Sequence, residues 1–397
     1  MSPLTAPVGL VVRGAHVMDA DGAFSVARIE VSGGRIVAVE RRPGAAGDER
    51  PGGSEIVEAT GLWLIPGIVD CHTHLGWTTF LHDDEPEAGP GGDVRARRRA
   101  LVAPALAATL RAGVTSARDA GGAEAELRDE VAAGVLPGPR LAVAVEIITA
   151  QASSGGADNG VEHLRERVRG LVARGADWIK LMATGGVMAA AGTELESAFS
   201  EEEIFAVVDE ARVLGARVMV HAWGGPAVTH AIAAGAASIE HGIFLTREQA
   251  VAGAANGTVL VPTLAIYAEV AQMAERGELP SSVLDRVRRV VAAHPVAVRT
   301  AHEAGMRIVL GSDYGTTDQH GRNLTEIDHL ARAGLGARHA LLAATRNGAE
   351  LLGGGSGLLE VGEVFDAVLL DADPRDTGIF LRPDAVVAVY QDGQKVR

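Results

Sequence analysis

A pair of histidines two residues apart is the strongest chemical signal in the sequence. His72 and His74 lie in the segment DCHTH at residues 70–74, where an apolar run that begins at residue 64 comes to an end. Alternate residues of an extended strand point to the same face, so both imidazoles project in one direction. Neighbouring neutral imidazoles are good ligands for a divalent metal and poor fillers of a core. The pair therefore indicates a metal site.

Four further ionisable residues stand at or near the ends of other apolar runs: Lys180, His221, His241 and Asp313. Each alone has a more common structural explanation. A single histidine at a strand end packs, a single lysine pairs with a carboxylate or extends to solvent, and a single aspartate caps a helix. Because all four accompany the histidine pair, the set favours one shared metal centre.

The chemistry of these six residues suits two divalent ions, preferably zinc, with manganese, cobalt or iron as alternatives. A protonated Lys180 would repel the ions, whereas its carbamate, formed with carbon dioxide, has two anionic oxygens that can bridge them. A water between two ions loses a proton near neutral pH and becomes a hydroxide nucleophile. Asp313 is the predicted catalytic residue, because it can accept that proton and pass it to a leaving nitrogen.

The elements that must position these residues form an alternating α/β pattern. A helical stretch such as 201–214 follows an apolar run, and the alternation predicts parallel strands with right-handed crossovers. The eight apolar runs lie at 64–71, 114–119, 140–148, 178–182, 217–220, 238–239, 259–262 and 307–310. We expect a (β/α)8 TIM barrel over residues 64–352, with chemistry at the carboxyl ends of its strands. An open doubly wound sheet is the alternative, but no G-x-G-x-x-G turn follows the first strand.

The two ends of the chain share a different pattern. Residues 9–66 alternate with the period of β-strands, and residues 357–397 return to that pattern. A lone β segment of this length makes a poor core. We therefore expect residues 1–63 and 353–397 to form one small composite β-sandwich domain, with the barrel inserted between them.

Composition and charge exclude several classes of protein. The 36 basic and 51 acidic residues give a net charge of −15, and no basic stripe is present, so no nucleic-acid partner is expected. No run reaches the roughly 18 to 20 apolar residues of a membrane span, and the first ten residues do not resemble a secretory signal. Cys71 is the single cysteine, which excludes an internal disulfide. A cytoplasmic protein with a small-molecule substrate is expected, and a homo-oligomer is compatible with these features.

Six segments together resemble the amidohydrolase superfamily, and most closely its imidazolonepropionase-like branch, which includes Xaa-Pro and Xaa-Arg/Lys peptidases. They are LIPGIVDCHTH (64–74), IKLMATGGV (179–187), VHAWG (220–224), SIEHG (238–242), VPTL (261–264) and GSD (311–313). Residues 343–353 and 362–370 follow the closing pattern of the superfamily, so the resemblance covers nearly the whole chain.

The resemblance implies a role for each of the six residues. It places His72 and His74 on the more buried metal, and it places His221 and His241 on the second. It implies a carboxylated, bridging Lys180. It also implies that Asp313 is both a metal ligand and a proton shuttle.

The sequence departs from particular members of this branch. Lys180 argues against imidazolonepropionase itself, which resembles a one-metal design without this lysine. Peptidase-like relatives often carry Gly-Gly-His after the third strand, whereas residues 149–156 here read TAQASSGG. Trp223 stands where relatives vary between an aromatic residue and histidine. The last two features weigh against a dipeptidase.

Candidate substrate contacts come from the loops that follow the strands. Trp223 and Tyr267 could form the floor of an apolar pocket, or could simply pack beneath a loop. His320 could bind a carboxylate together with Arg322, with a solvated loop as the alternative. The loop at 184–199 contains many small residues, which suits a lid.

The sequence thus predicts a binuclear metal-dependent amidohydrolase that cleaves an amide C–N bond of a small molecule, such as an N-acyl amino acid or a dipeptide. The same site could instead open a cyclic amide, or hydrolyse a carbamate, a urea or an ester. A non-enzymatic scaffold is the third alternative, which the full set of six ligands disfavours.

Overall fold

The computed structural model describes residues 9–41, 53–77, 94–150, 160–187, 192–354 and 357–397. The strands are β1 (Leu10–Met18), β2 (Phe24–Ser32), β3 (Arg35–Arg41), β4 (Glu55–Glu58), β5 (Trp63–Pro66), β6 (Ile68–Thr73), β7 (Val114–Asp119), β8 (Arg140–Val143), β9 (Ile147–Ile148), β10 (Trp178–Met182), β11 (Arg217–Ala222), β12 (Ser238–His241), β13 (Val259–Val261), β14 (Ala367–Leu370), β15 (Val386–Gln391) and β16 (Gln394–Lys395).

The α-helices alternate with the strands in the middle of the chain. They are α1 (Val94–Ala112), α2 (Ala125–Ala132), α3 (Val161–Ala173), α4 (Glu201–Val213), α5 (Gly225–Ala234), α6 (Arg247–Asn256), α7 (Leu264–Glu275), α8 (Ser281–Glu303), α9 (Thr325–Leu330), α10 (Gly336–Ala344) and α11 (Arg346–Leu352). A short π-helix spans Ala331–Leu335, and short 3-10 helices span Thr377–Leu381 and Pro383–Ala385. Among the described helices, none is both long enough and apolar enough to cross a bilayer.

The first and last strands of the chain share one mixed sheet. Its order is β16-β15-β14-β5-β1-β2-β3, and β4 also pairs with β1. β14 near the carboxyl terminus pairs antiparallel with β5, which pairs parallel with β1. Side chains from both ends of the chain, such as Ile29 and Phe365, are buried in one core cluster. The two termini therefore cooperate to bury apolar surface that neither covers alone.

The remaining strands form two parallel sheets. β6, β7 and β8 form one in that order, and β9 to β13 form the other. The predicted strand over 140–148 is interrupted, because Val145 adopts a φ of 65° between β8 and β9. The strands at 114–119 and 178–182 agree with the predicted bounds.

The predicted eighth strand, residues 307–310, lies between the two parallel sheets without regular strand geometry. The amide of Leu260 donates to the carbonyl of Arg307 at 2.9 Å, and the amide of Val309 donates to the carbonyl of Leu260 at 3.0 Å. On the other side, the amide of Cys71 donates to the carbonyl of Leu310 at 2.8 Å. This segment thus contacts β13 and β6, while a complete eight-stranded barrel stays a prediction.

The predicted single strand over 64–71 is wrong, because the chain changes sheets at Gly67. β5 belongs to the mixed sheet and β6 to the three-stranded parallel sheet. A Cβ atom on Gly67 would lie 2.2 Å from Oγ1 of Thr115, so the chain passes here only without a side chain. A continuous apolar run carries no sign of such a change.

The predicted helix over 201–214 is confirmed as α4, and the sequence explains where it begins. The Ser200 hydroxyl accepts from the Glu203 amide at 3.2 Å, while the Glu203 carboxylate accepts from the Ser200 amide at 2.8 Å. This reciprocal capping satisfies two backbone donors at the helix start. Ile204, Val207 and Ala211 are buried at helical spacing, which fixes the face that packs on the sheet.

An apolar cluster lies below the carboxyl ends of the parallel strands. It contains Trp178 and Met219, together with Ala349 and Leu351 of α11. Lys180 and His221 follow Trp178 and Met219 by two residues on their strands, so they share the same strand faces. The strands therefore carry apolar side chains deep in the fold and ionisable side chains at their ends.

Candidate metal centre

The six predicted ligands come from the carboxyl ends of parallel strands. His72 lies on β6, His74 follows that strand by one residue, and Asp313 follows the segment 307–310. Lys180 lies on β10, His221 on β11 and His241 at the end of β12. Because neighbouring parallel strands end at the same edge, residues far apart in the chain come together there.

Asp313 is the centre of the cluster. Its Oδ1 lies 3.3 Å from Nε2 of His72 and 3.2 Å from Nε2 of His74. Its Oδ2 lies 4.0 Å from Nδ1 of His241. Ligand atoms of His72, His241 and Asp313 all lie within 4.8 Å of one another, the spacing of a metal-binding group.

Lys180 and His221 extend the cluster on one side. Nζ of Lys180 lies 3.2 Å from Nε2 of His72. The His221 and His241 rings are 4.5 Å apart between centroids, and Nε2 of His221 lies 3.3 Å from the Gly185 carbonyl. The structure thus brings all six predicted residues into one connected group.

The partners of the two leading histidines define their orientation. Nδ1 of His72 lies 2.5 Å from a carboxylate oxygen of Glu240, and Nδ1 of His74 lies 2.9 Å from the Gly121 carbonyl. Both partners are acceptors, so each Nδ1 carries the proton and donates it. A ring that is protonated only at Nδ1 directs its Nε2 lone pair at the Asp313 carboxylate. Two lone pairs facing an anion repel it unless a cation lies between them, so the donor set fits a divalent metal.

Burial and neighbouring charges set the protonation states of the cluster. Burial lowers the pKa of Lys180 to about 8 and that of His221 to about 3. Burial also lowers the pKa of His241 well below its usual value. Near neutral pH, His221 and His241 are therefore neutral imidazoles.

Left-handed backbone geometry occurs at three non-glycine residues of the site. His241, Thr263 and Asp313 have φ values of 72°, 61° and 55°. Such angles are uncommon outside glycine and persist only where the surroundings enforce them. Nδ1 of His241 lies 2.8 Å from the Thr263 hydroxyl, so two of these residues support each other.

The structure separates the two aromatic substrate candidates. The Tyr267 ring lies 5.7 Å from the His241 ring, which places it beside the cluster of predicted ligands. Trp223 is fully buried, and its indole Nε1 donates to the Tyr267 hydroxyl at 2.9 Å. Trp223 therefore packs against Tyr267 and uses its polar atom internally.

The structure does not support a joint carboxylate site at His320 and Arg322. His320 is buried, and burial lowers its pKa to about 4, so the imidazole is neutral near pH 7. Arg322 pairs with Glu269 at 3.0 Å. Neither side chain thus offers a free positive charge to a substrate.

The loop at 184–199 is held to α8 by a buried ion pair. Arg286 of α8 donates to the Glu194 carboxylate at 2.8 Å and also contacts the Val187 carbonyl. Residues 188–191 of the predicted lid lie outside the described residues. The described part of the loop is therefore anchored at Val187 and at Glu194.

Sequence reasoning assigned no role to Arg118, Glu240 or Asp70, which surround His72 in the structure. Arg118 and Glu240 are fully buried and paired, and Asp70 accepts hydrogen bonds near Asp313. All three lie within runs of otherwise apolar or small residues. A buried charge requires a partner, so a charged residue inside such a run could have indicated that these three residues interact with the site.

Known proteins resemble this chain over most of its length. The Amidohydrolase family model matches residues 63–396. An ochratoxinase of Aspergillus niger is 28% identical over 366 residues, which cover 83% of this chain and 75% of that protein. An imidazolonepropionase of Rubrobacter xylanophilus is 29% identical over 412 residues, which cover 93% of this chain and 90% of that protein.

A solved structure extends the agreement to the whole fold. The crystal structure of a prolidase complexed with N-methylphosphonate-L-proline has 29% sequence identity and a TM-score of 0.86, and the match covers 98% of this chain and 99% of that one. The resemblance inferred from the sequence motifs is confirmed. The chain is a hydrolytic enzyme and belongs to the amidohydrolase family, in the branch that includes imidazolonepropionases and prolidases.

Proposed function

We propose that the protein is a binuclear metal-dependent amidohydrolase that cleaves an amide C–N bond of a small molecule, such as an N-acyl amino acid or a dipeptide. One observation carries the proposal: two histidines with donating Nδ1 atoms direct Nε2 at the same oxygen of Asp313, at 3.3 and 3.2 Å. Relatives named ochratoxinase, imidazolonepropionase and prolidase support a C–N bond as the target.

The residues of the cluster divide between two ions in this proposal. His72 and His74 would hold one ion, His221 and His241 would hold the other, and Asp313 would be a further ligand. Lys180 would bridge as a carbamate, which replaces a buried cation by an anionic group with two oxygens beside His72. Zinc suits these nitrogen and oxygen ligands, and manganese, cobalt and iron are alternatives. When bound, the ions would lower the pKa of a water and polarise the scissile carbonyl.

The chain itself supplies proton transfer and substrate contact. Asp313 would accept a proton from the attacking water and deliver it to the leaving nitrogen, because its carboxylate lies at the centre of the cluster. Tyr267 would contact the substrate beside His241. Its hydroxyl accepts a hydrogen bond from Trp223, which leaves the hydroxyl proton available for a substrate oxygen.

We propose the division of the chain that the sequence predicts, with the first boundary moved from residue 64 to Gly67, where the chain changes sheets. The (β/α)8 barrel would then span 68–352, and the small β domain would comprise 1–66 and 353–397. The backbone hydrogen bonds of residues 307–310 to both parallel sheets support closure of the barrel. The mixed sheet shared by β1 and β14 to β16 supports a composite terminal domain.

A metal and substrate assay tests the proposed function. The purified protein would be stripped of metal, reconstituted with zinc, manganese or cobalt, and assayed on a library of N-acyl amino acids and dipeptides. We expect about two ions per chain and amide hydrolysis that chelation abolishes. Turnover of only cyclic amides, carbamates, ureas or esters would instead identify the other substrate class on this site.

Two histidine variants make the assay specific. His74→Ala removes a donor that faces Asp313, so both metal content and turnover should fall. His302→Ala on α8 is a matched control, because His302 contacts the ring of His339 rather than the cluster. A protein that binds no divalent ion, or whose turnover survives complete metal removal, would overturn the proposed function.

A further inference from the structure

A buried arginine joins three strands behind His72. Arg118 on β7 is fully buried, and its Nε donates to the Cys71 carbonyl at 2.6 Å. Its Nη1 donates to the Ser238 hydroxyl at 3.0 Å, and its Nη2 donates to the Glu240 carboxylate at 2.9 Å. The guanidinium also lies 4.5 Å from the Trp178 ring, where a cation–π contact adds attraction. Arg118 is thus satisfied by β6, β10 and β12 together.

The Glu240 carboxylate receives donors on every side. Arg118 contacts both of its oxygens, at 2.9 and 3.1 Å, and the Ser238 hydroxyl donates to Oε1 at 2.5 Å. Hydrogen bonds from these donors stabilise the ionised form of the Glu240 carboxylate. Glu240 also contacts Nδ1 of His72 at 2.5 Å, and this nitrogen must therefore be the donor.

We infer that Arg118 and Glu240 are positioning residues that hold His72 with Nδ1 protonated and Nε2 directed at the metal centre. The inference rests on the proposed function, because Nε2 of His72 is one of the ligand atoms assigned there. Arg118 positions His72 in two ways: through Glu240, and through the Cys71 carbonyl that directly precedes His72 on β6.

The hydrogen-bond partner of Nδ1 is charged for His72 and neutral for His74. Nδ1 of His74 donates to the neutral carbonyl of Gly121, whereas Nδ1 of His72 donates to an ionised carboxylate. A carboxylate partner makes an imidazole a stronger donor to a cation, and loss of such a partner typically weakens metal binding about 10- to 100-fold. Arg118 is required because a buried carboxylate without a counter-ion would be strongly disfavoured.

The test is Glu240→Gln, which preserves the size of the side chain and removes its charge. The zinc affinity of the purified protein would be measured by competition with a chromogenic chelator, with circular dichroism as the check of folding. We expect the affinity to fall about 10- to 100-fold. Asp366→Asn is the matched control: this buried carboxylate pairs with Arg140 beside the mixed sheet, so its loss should leave zinc affinity unchanged.

A second variant and a spectroscopic measurement complete the test. Ser238→Ala removes one donor to Glu240 without a change of charge, and it should weaken zinc binding about 2- to 10-fold, the value of one hydrogen bond. In the metal-free protein, nitrogen-15 spectra of the histidines, assigned with His72→Asn, should show His72 protonated at Nδ1. In Glu240→Gln the same signals should show a mixture of the two tautomers.

The outcomes separate this inference from the proposed function. A wild-type protein that binds no zinc would overturn the proposed function, and the His72 tautomer would then decide whether Glu240 positions the ring. Normal zinc binding by the wild type, with Glu240→Gln within about twofold of it, would overturn the inference alone. If Glu240→Gln does not fold, an unchanged zinc affinity in Ser238→Ala would overturn the inference.

Discussion

Asp70→Asn tests whether one buried carboxylate sets the position of Asp313, the aspartate proposed to transfer protons. Oδ1 of Asp70 accepts from the backbone amides of Ser312 and His72, at 3.0 and 3.2 Å. Oδ2 accepts from the Ser312 hydroxyl at 2.6 Å and from the Asn323 amide nitrogen at 2.9 Å. Asp70 therefore links β6 to the residue that directly precedes Asp313.

The expected magnitude follows from these four contacts. Asparagine keeps one oxygen for the two backbone amides and places an NH2 group where Oδ2 was. The Ser312 hydroxyl can rotate to accept from this group, but the Asn323 amide nitrogen cannot. One hydrogen bond to a charged acceptor is lost, which should lower the free energy of unfolding by about 1.5–3 kcal/mol. A displacement of Asp313 by about 1 Å would lower kcat by up to roughly 100-fold.

Urea unfolding and steady-state kinetics on the reconstituted enzyme measure the two effects. Asp366→Asn is the matched control, because Asp366 is equally buried and its carboxylate accepts from Arg140 and from the Asp392 amide at 2.9 Å. It should lose stability without a change in kcat. An Asp70→Asn protein with wild-type stability would refute the hydrogen-bond argument, and a destabilised variant with normal kcat would refute the positioning of Asp313.

Three further predictions concern single residues. Lys180→Ala should lose at least one ion per chain with its circular dichroism unchanged, and retention of two ions with full activity would rule out a bridging carbamate. Asp313→Asn should lower kcat about 10²- to 10⁴-fold, which is the usual contribution of a general acid–base group. Elemental analysis of this variant should show only a partial loss of metal. A near-normal kcat would exclude the proton-transfer role. Burial raises the pKa of the Cys71 thiol far above its usual range, so Ellman's reagent should modify it in urea and leave the native protein unreacted; rapid labelling of the native protein would contradict this burial.

Much of the parallel strand pattern could be predicted from the sequence because buried strands are short, apolar and bounded by helical stretches. The runs at 114–119 and 178–182 have the bounds that the structure shows, and α4 begins at a capping serine visible in the sequence. The change of sheet at Gly67 could not be predicted in this way. It depends on how closely Thr115 of another strand approaches the backbone at Gly67. A hydropathy pattern gives no information about that distance.

The sequence by itself indicated which residues the cluster contains, because strand-end positions and residue types are local properties. Only the tertiary structure decided how those donors are oriented and charged. His72 and Glu240 are separated by 168 residues in the chain, yet their contact decides which imidazole nitrogen carries the proton. Likewise, the burial that keeps His320 neutral arises from elements remote in sequence. Tautomer and ionisation depend on desolvation and on distances of a few ångströms between remote segments, and these exist only once the chain has folded.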